Sequence, residues 1–283
     1  MFAEILIYGT IQACIYALLA MGFTLVYGVG RVLNLAHGAF YLLAGYVLFW
    51  YHKTIGLTGA AILALVVISI VGAVSYILLI KPLQDHEISV VLVTFALGFL
   101  TEQFIRVFFD VRPHTIKRLI PGSVTFLGVT FDAQSLITIF GSLIVVLLVG
   151  LFIKKSKVGK SIQAVSQDRE AAMLTGINAN RMLMYTVTLS ALLAGVSAIL
   201  YLPSASIAPH MGWDILTNAF AVVILGGLGS VKGSLLASFI LGYVKNFVIY
   251  AILPSLSAVV PIAIIIIVLL IRPQGLFGKK EVE

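Results

Sequence analysis

Long apolar runs alternate with short polar intervals along the whole chain. The runs fall at about 5–27, 35–51, 57–80, 88–109, 135–153, 183–202, 214–230, 234–253 and 256–271. A helix that crosses a bilayer needs about 20 mostly apolar residues. Most of the runs are apolar on all faces, the pattern of helices surrounded by lipid and by one another. Strands of a membrane barrel would alternate apolar and polar residues over about ten positions. The second run and the last two are short or broken by Gly and Pro, so the pattern predicts about 8–10 transmembrane or broken helices. The expected fold class is all-α, a polytopic integral membrane helical bundle.

Composition supports this and adds a limit. The chain has 283 residues, 61% of them hydrophobic and 10% charged, with mean hydropathy +1.13. Soluble domains run at about 45–50% apolar and about 25% charged, which excludes a soluble globular enzyme. The runs leave no room for an added soluble domain of ordinary size, so residues 1–283 read as a single transmembrane domain. Cys14 is the only cysteine, so neither a disulfide framework nor a Cys-based metal site is expected.

The net charge of +7 fits the excess of Lys and Arg in cytoplasmic loops better than it fits nucleic-acid binding. Lys154, Lys155, Lys157, Lys160, Arg169 and Arg181 crowd the interval 154–182, and Arg272, Lys279 and Lys280 mark the tail. Both regions are expected in the cytoplasm, and four crossings between them make the two assignments agree. Counting back places Lys81 and Arg31 inside, the loop at about 110–134 outside and the N-terminus outside. The first residues carry Glu4 and no Lys or Arg, unlike the positive start of a cleavable signal peptide.

Several local features stand out. Residues 121–132 place Val, Thr and Phe on either side of Gly128, which suits a short hairpin or an irregular cap. Small residues recur four apart at Gly9, Ala13 and Ala17, at Ser190, Ala194 and Ala198, and at Ser234, Ser238 and Gly242, a spacing that lets helix backbones approach in lipid. Residues 23–47 and 220–244 align without gaps and share Phe23/Phe220, Gly30/Gly227 and Gly45-Tyr46-Val47/Gly242-Tyr243-Val244. Each piece reads as helix, Gly-rich break, helix, a pairing that in transporters lies near the pathway.

Candidate chemistry is sparse. Val158-Gly159-Lys160-Ser161 ends like a phosphate-binding loop, but the first glycine of that motif would stand at 154, where the chain has Lys154. Any ATP hydrolysis therefore belongs to another chain. No Ser/His/Asp or Gly-x-Ser-x-Gly set is visible, so the chain is not expected to be an enzyme. In the basic interval, Ser161 to Leu174 lacks Gly and Pro and predicts a short helix ended by Gly176. It reads either as a helix resting on the membrane or as a docking element for a cytoplasmic partner. Asn34-Leu35-Ala36-His37-Gly38 opens the second run. There a polar residue inside the membrane faces a pathway or braces a neighbour, and the residues alone favour bracing. Glu102 and Arg106 share a helix face and are expected to pair, while Lys245 and Asn246 lie unexplained within a span.

These motifs together resemble the Liv-type branched-chain amino acid permeases, the membrane subunits of bacterial ABC importers. Asn34-Leu35-Ala36-His37-Gly38 is similar to their Asn-Phe-Ala-His-Gly signature, with Leu35 where Phe is usual. Gln167-Asp168-Arg169-Glu170-Ala171-Ala172 followed by Gly176-Ile177 resembles their ATPase-coupling loop. Met211-Gly212-Trp213-Asp214, Leu225-Gly226-Gly227-Leu228-Gly229-Ser230 and Arg272-Pro273-Gln274-Gly275-Leu276-Phe277-Gly278 follow in the family's order. The resemblance spans essentially the whole chain and implies the fold of the Liv/ribose permease type. It implies a bacterial cytoplasmic (inner) membrane subunit that forms half of a pathway for amino acids, branched-chain or related. The implied partners are a second permease subunit, two ATP-binding subunits carrying ATP and Mg, and a periplasmic binding protein, with no cofactor in this chain.

The implied coupling residues are Gly159, Gln167, Asp168, Arg169, Glu170, Ala171, Ala172 and Gly176. The implied pathway residues are Asn34, His37, Gly38, Gly226, Gly227 and Gly229. Relatives of the family that carry urea or short amides give one alternative. An ion-coupled secondary transporter gives another. It would want an unpaired carboxylate at mid-membrane, whereas the acidic residues here read as lying at ends and in loops.

Overall fold

A computed structural model describes residues 1–278, so Lys279 and Lys280 of the basic tail lie outside the described residues. The helices are α1 (Phe2–Gly30), α2 (His37–Ser75), α3 (Glu87–Phe109), α4 (Gln134–Lys155), α5 (Lys157–Gln167), α6 (Arg169–Leu174), α7 (Ala179–Tyr201), α8 (Met211–Gly226), α9 (Val231–Phe247) and α10 (Val260–Ile271). Four short strands, β1 (His114–Thr115), β2 (Ser123–Phe126), β3 (Val129–Asp132) and β4 (Ser206–Ile207), lie between them.

Among the described residues six helical stretches are long and apolar enough to cross a membrane, and α8 and α10 are shorter apolar helices. The stretch that begins with α2 runs unbroken from His37 to Leu83, 47 residues, or about 70 Å at 1.5 Å per residue. That is more than twice the bilayer core, so it must turn back. The turn is at Gly56, whose φ of 75° and ψ of 165° are open to glycine and closed to most side chains. Gly195 of α7 touches both Ala44 and Ile68, twelve residues on either side of Gly56, so the two arms of α2 lie side by side at the same depth. The second and third apolar runs of the sequence are these two arms.

The bundle has two distinct ends. One carries α5 and α6 together with the end of α1, where Gly28 approaches Ser166 and Gly229. It is called the loop end here. The other, the hairpin end, carries the start of α1, where Tyr8 donates to the Thr130 carbonyl at 3.4 Å. There β2 and β3 pair antiparallel from Ser123↔Asp132 to Phe126↔Val129, so residues 121–132 form the hairpin. At the same end β1 pairs with β4, His114 opposite Ile207 and Thr115 opposite Ser206, tying the 110–133 segment to the 202–210 segment.

Small residues set the central packing. Gly242 of α9 sits against the Gly9 carbonyl and Ala13 of α1, and Thr24 and Ser234 hydroxyls meet at 2.6 Å between the same two helices. In lipid no water is squeezed out when helices associate, so such close backbone approach and shared hydrogen bonds supply the cohesion. The two halves of the internal echo occupy matching places. The end of α1 leads through a break into α2, and the end of α8 leads through a break into α9, both from the hairpin end toward the loop end and back. Phe23 and Phe220, aligned in the echo, touch edge to face with ring centroids 5.9 Å apart.

Candidate functional site

At the loop end the basic interval folds into two helices where sequence reading gave one. Ser156 starts α5, its hydroxyl accepting from Gly159 N at 2.8 Å, and Gly159 lies tight against the backbone of Phe152 and Ile153 at the corner with α4. The break falls at Asp168, which turns extended and caps α6 by accepting from Ala171 N at 2.9 Å. After Leu174 the chain ends α6 with paired bonds from Ile177 N to Ala172 O (3.1 Å) and from Gly176 N to Met173 O (2.9 Å), the Schellman arrangement. Ala172 is buried, and Arg169 donates to Asn180 Oδ1 at 3.2 Å. Gln167, Asp168, Glu170 and Ala171 face outward, and Leu174 is 89% exposed. A short helix thus stands proud of the bundle with an apolar tip and acidic flank.

The glycine-rich breaks form a hub beside it. Gly226 rests against Gly233 and Ser234, and Gly227, with φ of 99°, lies against Gln274 and Gly278 where a Cβ would not fit. Leu276 N and Phe277 N donate to the Leu225 and Gly226 carbonyls at 2.8 and 3.0 Å, so the motif at 272–278 is bonded to the motif at 225–230. Gly28, Arg31, Gln167, Gly229 and Gln274 line a cavity of about 660 Å³ between this hub and α5.

Asn34, His37 and Gly38 sit apart from the hub. Asn34 Oδ1 accepts from Ala36 N at 3.1 Å, closing a local turn that starts α2. His37 is 0% exposed, its Nδ1 3.0 Å from Ser190 Oγ and its ring edge-on to Phe23. A Cβ on Gly38 would overlap the Gly212 carbonyl, so α2 and α8 cross at backbone contact. His37 meets α1 at Gly22 and Gly229 meets it at Gly28, six residues or about 9 Å apart along the helix. The structure therefore brings Gly226, Gly227, Gly229 and Gln167 together and leaves Asn34 and His37 enclosed above them.

Lys245 and Asn246, unexplained in the sequence, belong to a polar set that joins α1, α8 and α9. Lys245 Nζ donates to Tyr16 Oη at 3.2 Å and to Asn218 Oδ1 at 3.1 Å. Asn218 Nδ2 donates to the Asp214 carbonyl at 2.6 Å. Asn246 Nδ2 and Tyr16 Oη both donate to Gln12 Oε1, at 3.2 and 3.4 Å. Polar residues in otherwise apolar helices, Gln12, Asn218 and Lys245 among them, were the available signal. Asp214 lies in the first turn of α8, a helix of 16 residues, and its side chain is 69% exposed. Glu102 and Arg106 pair as expected, with Arg106 Nε donating to Glu102 Oε1 at 3.0 Å, and Glu102 is buried inside α3 rather than at a surface.

A bundle of apolar helices with paired broken segments and a structured loop at one end defines a polytopic membrane permease. The chain belongs to the family described as branched-chain amino acid transport system / permease component, whose model matches residues 5–269. It is 28% identical to the high-affinity branched-chain amino acid transport system permease protein BraD of Pseudomonas aeruginosa, over 98% of this chain and 96% of that protein. It is 27% identical to the permease protein LivH of Salmonella typhimurium, over 97% and 95%. Its fold is similar to a solved structure of PsaBC from Streptococcus pneumoniae in complex with Fab, with a TM-score of 0.54 at 15% identity and 97% of both chains covered.

Proposed function

We propose that this chain is the permease subunit of a binding-protein-dependent ABC importer and forms half of a pathway for amino acids, branched-chain or related. The family assignment carries the reading, since near full-length relatives are by name permease proteins of high-affinity branched-chain amino acid transport. The whole chain acts as one permease domain in the bacterial inner membrane, beside a second permease subunit. Two ATPase subunits, which hold ATP and Mg, dock on the loop end, and a periplasmic binding protein delivers substrate to the hairpin end. The basic residues of 154–181 put the loop end in the cytoplasm, with the C-terminus inside and the N-terminus outside.

In this reading α6 is the coupling element. Gly159, Gln167, Asp168, Arg169, Glu170, Ala171, Ala172 and Gly176 shape it or face the ATPase, and Met173 and Leu174 offer apolar anchors to a groove. Movement there reaches the hub through Gln167 and the cavity beside Gly226, Gly227 and Gly229. Asn34, His37 and Gly38 brace the crossing of α2 with α8, and the hub glycines let that crossing shift. The neighbouring reading, import of urea or short amides, keeps the same machinery and changes only the solute.

The test is uptake into proteoliposomes that contain the assembled complex and the binding protein. Import of [14C]leucine that needs internal or external ATP on the loop-end side and survives an uncoupler supports the reading. Import that persists without ATP and collapses with the uncoupler contradicts it in favour of an ion-coupled carrier.

A further inference from the structure

Counted along their own helices, Tyr16 and Lys245 lie 14 residues, about 21 Å, from the loop ends of α1 and α9, and Asp214 lies 12 residues, about 18 Å, from that of α8. Tyr16 and Lys245 therefore lie at depth within two of the candidate spans, and Asp214 lies in the first turn of the short apolar helix α8. A charge at that depth is costly and is kept where it meets an aqueous path, a partner or a ligand.

Lys245 and Asp214 do not neutralise each other. The ammonium has three N–H donors. Two go to neutral acceptors, Tyr16 Oη and Asn218 Oδ1, and the Tyr16 ring lies 5.8 Å from Nζ. Asp214 acts on Lys245 electrostatically yet makes no ion pair with it among the described residues. Its carboxylate lies 4.0 Å from His210 Nε2, and both of those side chains are largely exposed. Asn218, held one turn along α8 by its bond to the Asp214 backbone carbonyl, carries the Lys245 ammonium on its Oδ1. The cation keeps one N–H beyond these two bonds, and the Asp214 side chain stays 69% exposed.

An approach from the hairpin end is also present. A cleft of about 340 Å³ lies between α1, the hairpin and α9, lined in part by Tyr8, Asp132, Tyr201 and Ser204, with Gln12 and Asn246 also on its wall. That volume is in the range of small-molecule sites. From Gln12 a hydrogen-bonded row runs through Tyr16 to Lys245, so the cleft and the ammonium are joined by one polar track.

We propose that Lys245 and Asp214 form a substrate site for a zwitterion, Lys245 receiving the carboxylate and Asp214 the ammonium of a free amino acid on its way across. The inference rests on the amino-acid import reading above and assigns residues to it. A neutral solute such as urea has no use for either charge, so the pair also decides between the two solute classes.

The experiment uses the complete complex in proteoliposomes with its binding protein, with [14C]leucine and [14C]urea as probes. Variants are K245M, K245R and D214N, the last on an exposed side chain whose change leaves packing intact. The expected result is leucine uptake with kcat/KM at least tenfold lower in K245M and in D214N. K245R should recover a substantial part of the loss, and ATPase subunits should co-purify normally with all three. Leucine uptake by K245M and D214N at the wild-type kcat/KM overturns the site while leaving the import reading standing. Loss of complex assembly in K245M and K245R alike, with D214N at full activity, assigns Lys245 a structural role and also overturns it. A wild-type complex that imports urea and not leucine fails the amino-acid reading itself, and that failure is visible before any variant is made.

Discussion

Removing the Asp168 cap should loosen α6 by an amount the structure lets one calculate. The helix has six residues, far below the about 12–15 at which an isolated helix becomes even marginal in water. It is held at one end by Asp168 Oδ1 on Ala171 N and at the other by the Gly176 turn. Replacing an Asp cap by Ala costs about 1 kcal/mol, which is about fivefold in the ratio of ordered to open helix. D168A should therefore speed amide hydrogen exchange across 171–175 by about fivefold. Binding-protein-stimulated ATP hydrolysis should fall by two- to fivefold, with the bundle otherwise intact. Ser and Asn cap as well as Asp, so D168S and D168N should keep both properties close to wild type. If D168S and D168N are as impaired as D168A, the carboxylate acts through its charge on a partner and the capping argument is wrong.

Other outcomes follow from the packing. G38V would drive a side chain into the Gly212 backbone at the crossing of α2 with α8. Overpacking of this kind costs about 1–3 kcal/mol, read as a lower melting temperature of the purified subunit. A matched change at Gly150, where nothing crowds the position, should leave melting unchanged. G227A meets both a φ of 99° and the backbone at 274–278. It should release the 272–278 segment, measured as faster amide hydrogen exchange at Leu276 and Phe277, whose N–H groups bond to the Leu225 and Gly226 carbonyls. R106L leaves the buried Glu102 carboxylate without its partner and should lower thermal stability. The double change E102L/R106L should recover most of that loss, because a buried charge is costly mainly when alone, and a double-mutant cycle reads the difference.

The helices were legible because a bilayer forces long apolar runs, while the turn at Gly56, in the interval between the second and third runs, came from the structure. The small-residue contacts of Gly9, Ala13 and Gly242 also followed from local pattern, and at 121–132, where the pattern suited a hairpin or an irregular cap, the strands pair as a hairpin. The division of α5 from α6 was not legible, since Asp168 within a polar stretch looks the same as a mid-helix surface residue until its carboxylate turns back on Ala171. The partners of Lys245 lie 229 and 27 positions away, and that meeting is made by the bundle. Asn34 and His37 drew attention as polar residues at a break, and the structure shows them closing a local turn and a contact with Ser190.

The claim that bears everything else is that this chain works as one membrane part of a larger ATP-driven machine. The direct measurement is gentle solubilisation from the native membrane, followed by identification of the co-purifying chains and their stoichiometry. Recovery with two ATP-binding subunits and one further permease subunit is the expected result. Recovery of this chain alone, under conditions that keep other ABC complexes together, would contradict it.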